Sequence, residues 1–155
     1  MDELFRTYHH AQAGFKIPVP AEWQVAEGVQ GCALVAAEPA PESRGFVANI
    51  VVSVEPLGVD EPAEAWVARS RESLQDGRLN RLRLIDSEET EIGGATAWRT
   101  LSHYLHRPHG GVSLEQWQVA YDGWGFVVSC STGALDYDAY ADAMAYAAEG
   151  LQILA

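Results

Sequence analysis

The sequence predicts an α+β domain in which a central antiparallel sheet is flanked by two main helices, and three observations carry that reading. Runs of alternating aliphatic residues recur along most of the chain, two longer stretches space their apolar residues at helical intervals, and Gly-Gly and Asp-Gly pairs separate the runs of the second half. A chain of 155 residues is the length of one domain, taken as 1–155. At that size folding buries roughly 68–70% of the unfolded surface, enough for a core without staples.

The first alternating stretch is GFKIPVPAEW, where Phe15, Ile17 and Val19 share one face. Pro18 and Pro20 lack the N–H of a ladder, so pairing should stop there or become one-sided, and Trp23 should fold back over the apolar face. CALVAA reads as the next strand, and AAEPAPESRG (Ala36–Gly45) as a surface loop. In FVANIVVSV, Ala48, Ile50, Val52 and Val54 form a wholly apolar face, which places this strand in the interior of the sheet.

Asp60 or Glu61 before Pro62 marks a helix start, Ala63, Trp66, Val67, Ser70 and Leu74 recur at helical spacing, and Gly77 is the expected stop. The period then returns to two. RLNRLRLIDSEETEI, ATAWRTLSHYLH, VSLEQWQVAY and WGFVVSCS are joined by turns at Gly93-Gly94, RPHGG and Asp122-Gly123, an antiparallel meander. Asp136 should cap a last helix with Tyr137, Tyr140, Ala141, Met144, Ala148 and Leu151 on one stripe. Two helices on such a sheet place a layer on each face, or both on one.

Composition excludes several classes of function. A net charge of −12 repels phosphate backbones and anionic lipid heads, so nucleic acid is not an expected partner. No segment approaches the roughly 20 apolar residues of a membrane span. VQGC at Val29–Cys32 has the form of a lipoprotein cleavage box, but the polar EWQVAEG before it lacks the hydrophobic region such signals need, and the expected location is cytoplasmic. Cys32 and Cys130 sit in separate apolar runs without CxxC spacing and read as buried thiols.

Gly14–Trp23, Asn49–Val54, Ile92–Trp98, Gln116–Cys130 and Tyr140–Leu151, in that order, resemble the PsbP/Mog-like fold family, nearest its bacterial DcrB-like and LpqN-like branch. The resemblance implies an αβα sandwich without a shared catalytic site. It also implies action through protein partners: a small GTPase for the nuclear-import member, photosystem subunits for the PsbP members, apolar effector segments for a chaperone branch.

The candidate site residues are few. Arg69, Arg71, Arg78, Arg81 and Arg83 place five of the ten basic residues within fifteen positions, a local excess suited to carboxylates of an acidic partner segment, or else a solvated helix face followed by a charged edge strand. Tyr104 and Trp117 are the aromatics expected to join an interface, on whichever face of the meander is left uncovered. His103, His106 and His109 are spaced by three, which on a strand puts His103 and His106 on opposite faces. His9 and His10 read as surface residues. Asp86, Glu88, Glu89 and Glu91 read as solvated acids guarding an edge. SCST at Ser129–Thr132 lacks the base and the oxyanion hole of a nucleophile, and no Gly-rich phosphate loop opens a helix.

The function expected is therefore that of a non-catalytic protein-binding module, an adaptor or chaperone-like protein, with no cofactor. The alternative is a small-molecule or metal-binding enzyme, which needs His106 and His109 to converge, with Glu115 as an optional further member.

Overall fold

Residue parity sorts the alternating runs onto the two faces of a seven-stranded sheet. The computed structural model describes residues 4–39, 45–107 and 109–154. Among them run β1 (Phe5–His10), β2 (Phe15–Pro20), β3 (Gln24–Glu27), β4 (Leu34–Ala37), β5 (Asn49–Pro56), α1 (Ala63–Leu74), β6 (Arg83–Ile92), β7 (Ala95–His106), β8 (Gly110–Tyr121), β9 (Trp124–Gly133), α2 (Tyr137–Glu149) and β10 (Gln152–Ile153). The large sheet has the order β3-β4-β5-β9-β8-β7-β6, antiparallel throughout, and a three-stranded sheet has the order β1-β2-β10. β5 lies in the interior of its sheet, as its apolar face requires.

One face of the large sheet carries Ile50, Val52, Trp117, Val119, Phe126 and Val128. These pack with Phe15, Ile17 and Val19 of β2 and with Met144, Ala147 and Ala148 of α2. The other face carries Trp98, Ala120 and Val127, covered by Trp66 and Val67 of α1. The two helices therefore lie on opposite faces, with the small sheet beside α2. Trp23 is buried in the larger cluster, as its place after the prolines implied.

The prolines act as a one-sided terminator. β2 pairs with β1 along its whole length to Pro20, whereas β10 reaches only Phe15 and Lys16, so Pro18 and Pro20 lie where only one neighbour is paired. β1 and β3 carry little aliphatic alternation. Their half-buried side chains include Phe5 and Tyr8 in β1 and Val25 in β3, and the two strands are held by pairing to neighbours with stronger patterns.

The turns follow their dipeptides. Gly93-Gly94 (φ 59° and 83°) joins the pair Ile92–Ala95, and Asp122-Gly123 (φ 49° and 80°) joins the pair Tyr121–Trp124, both with the positive φ of a type I′ hairpin. Residues 40–44 of the proline-bearing loop and Pro108 of the RPHGG turn lie outside the described residues.

Three boundaries differ from the sequence reading. α1 ends at Leu74 with Gln75 as its cap, before Gly77. Residues 78–82 form a turn rather than a strand. There Arg81 takes a φ of 55°, and Asn80 accepts the backbone N–H of Leu105 at 2.9 Å. Asp136 stands at the N-cap of α2 but makes no side-chain capping bond, because a 3₁₀ turn over Ala134–Asp136 leads directly into the helix.

The fit of α1 on the sheet depends on one glycine. A Cβ at Gly125 would lie 2.5 Å from Cζ2 of the fully buried Trp66, whose Nε1 donates to Glu55 at 2.6 Å. Gly125→Ala should therefore force that ring to shift and destabilise the protein by about 1–3 kcal/mol in urea unfolding, the usual range for overpacking. A change inside about 0.5 kcal/mol would show that the contact is loose.

Candidate functional site

The register decides which polar side chains meet. Arg99 of β7, Glu115 of β8 and Cys130 of β9 share the face that α2 covers. Glu115 is 4% exposed. Its Oε2 accepts Arg99 Nε, and its Oε1 accepts the hydroxyl of Tyr137, the first residue of α2, at 3.1 Å. At the edge of the sheet Arg99 also donates to Asp86 at 3.0 Å and Glu88 at 3.3 Å. Two of the four acids read as solvated are thus engaged by a guanidinium. Burial alone would lower the Arg99 pKa, but its bonds to Asp86 and Glu115 outweigh that and hold it well above the ordinary value. Burial, and then the Glu115 charge, raise the Cys130 thiol and the Tyr137 hydroxyl. Its buried part, Arg99 with Glu115 and the Tyr137 hydroxyl, is closed, with one charge set against one, and it pins the start of α2 to the sheet, while Asp86 and Glu88 lie at its exposed rim.

The histidine hairpin separates as the period of two requires. His103 faces the α2 side and His106 the α1 side. His106 and His109 do approach, with rings stacked at 5.2 Å and 3°, and Phe46 meets both edge-on. Glu115 does not join them. It stands five residues along β8 from Gly110, the partner of His106, and an odd separation puts it on the opposite face, against Arg99. Among the described residues no three His, Cys, Asp or Glu side chains form a group able to hold a metal ion.

Of the arginines, Arg69 and Arg78 line one cleft of about 240 Å³ between α1 and the sheet, and the other three lie outside it. Arg69 pairs with Glu61 at 3.2 Å and Arg78 with Asp76 at 2.8 Å, while Arg71 Nε donates to Thr100 Oγ1 at 3.3 Å. Arg81 lies in the turn, exposed, and Arg83 is exposed on β6 opposite His103, on the α2 side of the sheet. Trp117 is 1% exposed in the core, so it is a packing residue and not an interface aromatic. Its partner across the sheet is Val128, beneath β2 and α2, a layer that the sequence alone did not assign to that face. Tyr104 is half-buried, and burial raises its pKa. His10, read as a surface residue, is buried at 7% exposure, because β1 is a strand whose inner face it occupies.

The aromatics left in solvent are elsewhere. Tyr121 and Trp124 flank the Asp122-Gly123 turn at 43% and 48% exposure. They border a cleft of about 420 Å³ closed by Gln12–Gly14 of the β1–β2 turn, Val54, Phe126 and the segment Ile153–Leu154. A second cleft of about 290 Å³ continues past Tyr121 to the Gly93 turn. Three hairpin turns thus meet at one end of the sheet around two exposed aromatics. Their signal was present in the sequence, as aromatic residues directly beside an Asp-Gly turn, where no neighbouring strand can cover both.

No protein-family model matches the sequence, and no curated protein matches it. Solved structures do. The PsbP protein CyanoP of Synechocystis sp. PCC 6803 is similar with a TM-score of 0.74 at 14% identity, over 96% of this chain and 92% of that one. LpqN of Mycobacterium tuberculosis, described as involved in cell envelope biogenesis, gives 0.75 at 18% identity over 97% and 91%. The Ran-binding protein Mog1p of Saccharomyces cerevisiae gives 0.64 at 10% identity over 97% and 95%. The chain has the PsbP/Mog-like α+β fold, which bacterial LpqN-like proteins share. No helix among the described residues is long and apolar enough to cross a membrane.

The closed cluster makes a specific stability prediction. Arg99→Ala leaves Glu115 buried with only Tyr137 and should lose about 3–5 kcal/mol, the usual loss on breaking one half of a buried pair. Glu88→Gln, at the exposed rim, should change stability by less than about 1 kcal/mol. Urea unfolding of both variants checks this, and equal effects would refute the closed-cluster reading.

Proposed function

We propose that this protein is a non-catalytic protein-binding module that receives an apolar side chain of a partner in the cleft beside Tyr121 and Trp124. The observation that carries the reading is the pairing of those half-exposed aromatics with a concave surface built from the β1–β2 turn, the turn at Asp122 and the segment Ile153–Leu154. Large rigid aromatics at a pocket are the usual anchors of binding energy, because they bury much area for little conformational entropy. The residues that would carry chemistry point the other way: Arg99, Glu115 and Tyr137 satisfy one another under α2. The Ran-binding activity of Mog1p, on the same fold, supports a protein as the ligand.

The arginines Arg69, Arg71, Arg78, Arg81 and Arg83, with Tyr104, enter the proposal as a secondary contact region. Arg71, which donates to Thr100, and Arg81 and Arg83 are its members without a bonded acid among the described residues. The two free cysteines suit a reducing compartment, and the cytoplasm is the setting proposed.

The test is differential. Crosslinked capture from native cells with wild type, Trp124→Ala and Arg81→Ala/Arg83→Ala should show one partner lost at least about tenfold with Trp124→Ala, the scale of a hot-spot residue, and reduced far less with the arginine variant. Circular dichroism confirms that the variants are folded. Equal recovery by Trp124→Ala and wild type would remove the cleft from the interface.

A further inference from the structure

We propose that His10 is a proton switch, its protonation releasing the β1–β2 turn that walls the Tyr121/Trp124 cleft. This regulation rests on the reading of that cleft as the partner site. His10 ends β1 at 7% exposure, its ring stacked on Phe15 at 5.2 Å and 26°. Its Nδ1 accepts the backbone N–H of Ala13 at 3.0 Å. The proton of the neutral imidazole is therefore on Nε2, which lies 3.8 Å from Glu27 Oε1 of β3. The other Glu27 oxygen accepts the hydroxyl of Tyr8, a bond that, ahead of burial, raises the tyrosine pKa. Glu27 and Tyr8 are the titratable groups seen around the ring among the described residues, and β2 presents the uncharged Phe15.

A second proton makes both ring nitrogens donors. Nδ1–H then points at the Ala13 N–H, donor against donor, while the Glu27 carboxylate attracts the new charge. The ring keeps Glu27, and the Ala13 amide has to leave. That amide belongs to the turn whose Gln12, Ala13 and Gly14 wall the 420 Å³ cleft, and Gln12 and Ala13 also line a cleft of about 380 Å³ with His10 and Glu27. The turn is tied onward as well. The Gly14 carbonyl accepts the N–H of Leu154 at 2.8 Å, and Leu154 lines the same cleft. Releasing Ala13 thus loosens the Gln12–Ala13 wall of the cleft, while Gly14 keeps its N–H on the His10 carbonyl at 2.9 Å and its carbonyl on Leu154.

The experiment is an NMR titration of the ¹⁵N-labelled full chain, without partner, from about pH 8 to about pH 5, the range in which an ordinary histidine titrates. The readouts are the His10 ring, the Ala13 amide and the Trp124 indole. The expected result is one shared midpoint for all three and a loss of about tenfold in Ala13 exchange protection after correction for intrinsic rates, the scale of one hydrogen bond. His10→Asn can present Oδ1 where Nδ1 sits and does not titrate, so its Ala13 and Trp124 signals should stay flat. Three results would overturn the switch: a His10 ring that titrates while Ala13 does not move, a ring that does not titrate in this range, or Ala13 and Trp124 signals in His10→Asn that still follow the wild-type curve. Should His10→Asn not fold, the wild-type midpoints decide alone. Because no partner is present, failure of the Trp124→Ala capture leaves this result standing, and the reverse holds too.

Discussion

The strict alternation of β7, β8 and β9 is the constraint from which the other features follow. Each residue of one parity faces α2 and the small sheet, and each residue of the other parity faces α1. A strand has no third direction. Once Trp117, Val119, Phe126 and Val128 are committed to one core and Trp98 and Val127 to the other, the polar residues between them are placed by default. Arg99 and Glu115 fall on the α2 side and meet there, and Glu115 is carried away from the histidine hairpin by the same rule.

That constraint also explains where contact with other molecules is left open. Both faces of the meander carry a packed layer, and the polar group inside is sealed by Tyr137 at the start of α2. The ends of the strands are different, because a hairpin turn has no layer above it. Tyr121 and Trp124 sit at such an end and stay half in water. The closed cluster gives rigidity and the turn-built cleft gives an accessible surface. In an acidic protein that surface contains few charges, with Asp122 the acid among the residues lining the cleft.

Much of this was legible in the residues. The α+β class, the two hairpin turns, the helix stripes and the opposite facing of His103 and His106 all depend on local period and turn chemistry, which a sequence displays directly, whereas the PsbP/Mog-like architecture was implied by resemblance. Long-range facts were less visible. Trp117 read as an available aromatic because nothing local says that β2 and α2 lie on its side of the sheet. His10 read as a surface residue because β1, FRTYHH, has no aliphatic alternation and becomes a strand only by pairing with β2. The arginines looked like one cluster in the chain. In space a helix, a turn and an edge strand divide them, and Glu61 and Asp76 neutralise two.

The central claim is that both faces are filled and that binding falls to the end of the sheet carrying Trp124. Photo-crosslinking tests it most directly, with a benzophenone amino acid placed singly at Trp124, Arg78 and Arg81 in the full chain and expressed in its native cell. The account predicts a discrete protein adduct from position 124 and none of comparable yield from 78 or 81. Adducts confined to 78 and 81 would contradict it, and would move the contact surface to the helix and turn that flank β7.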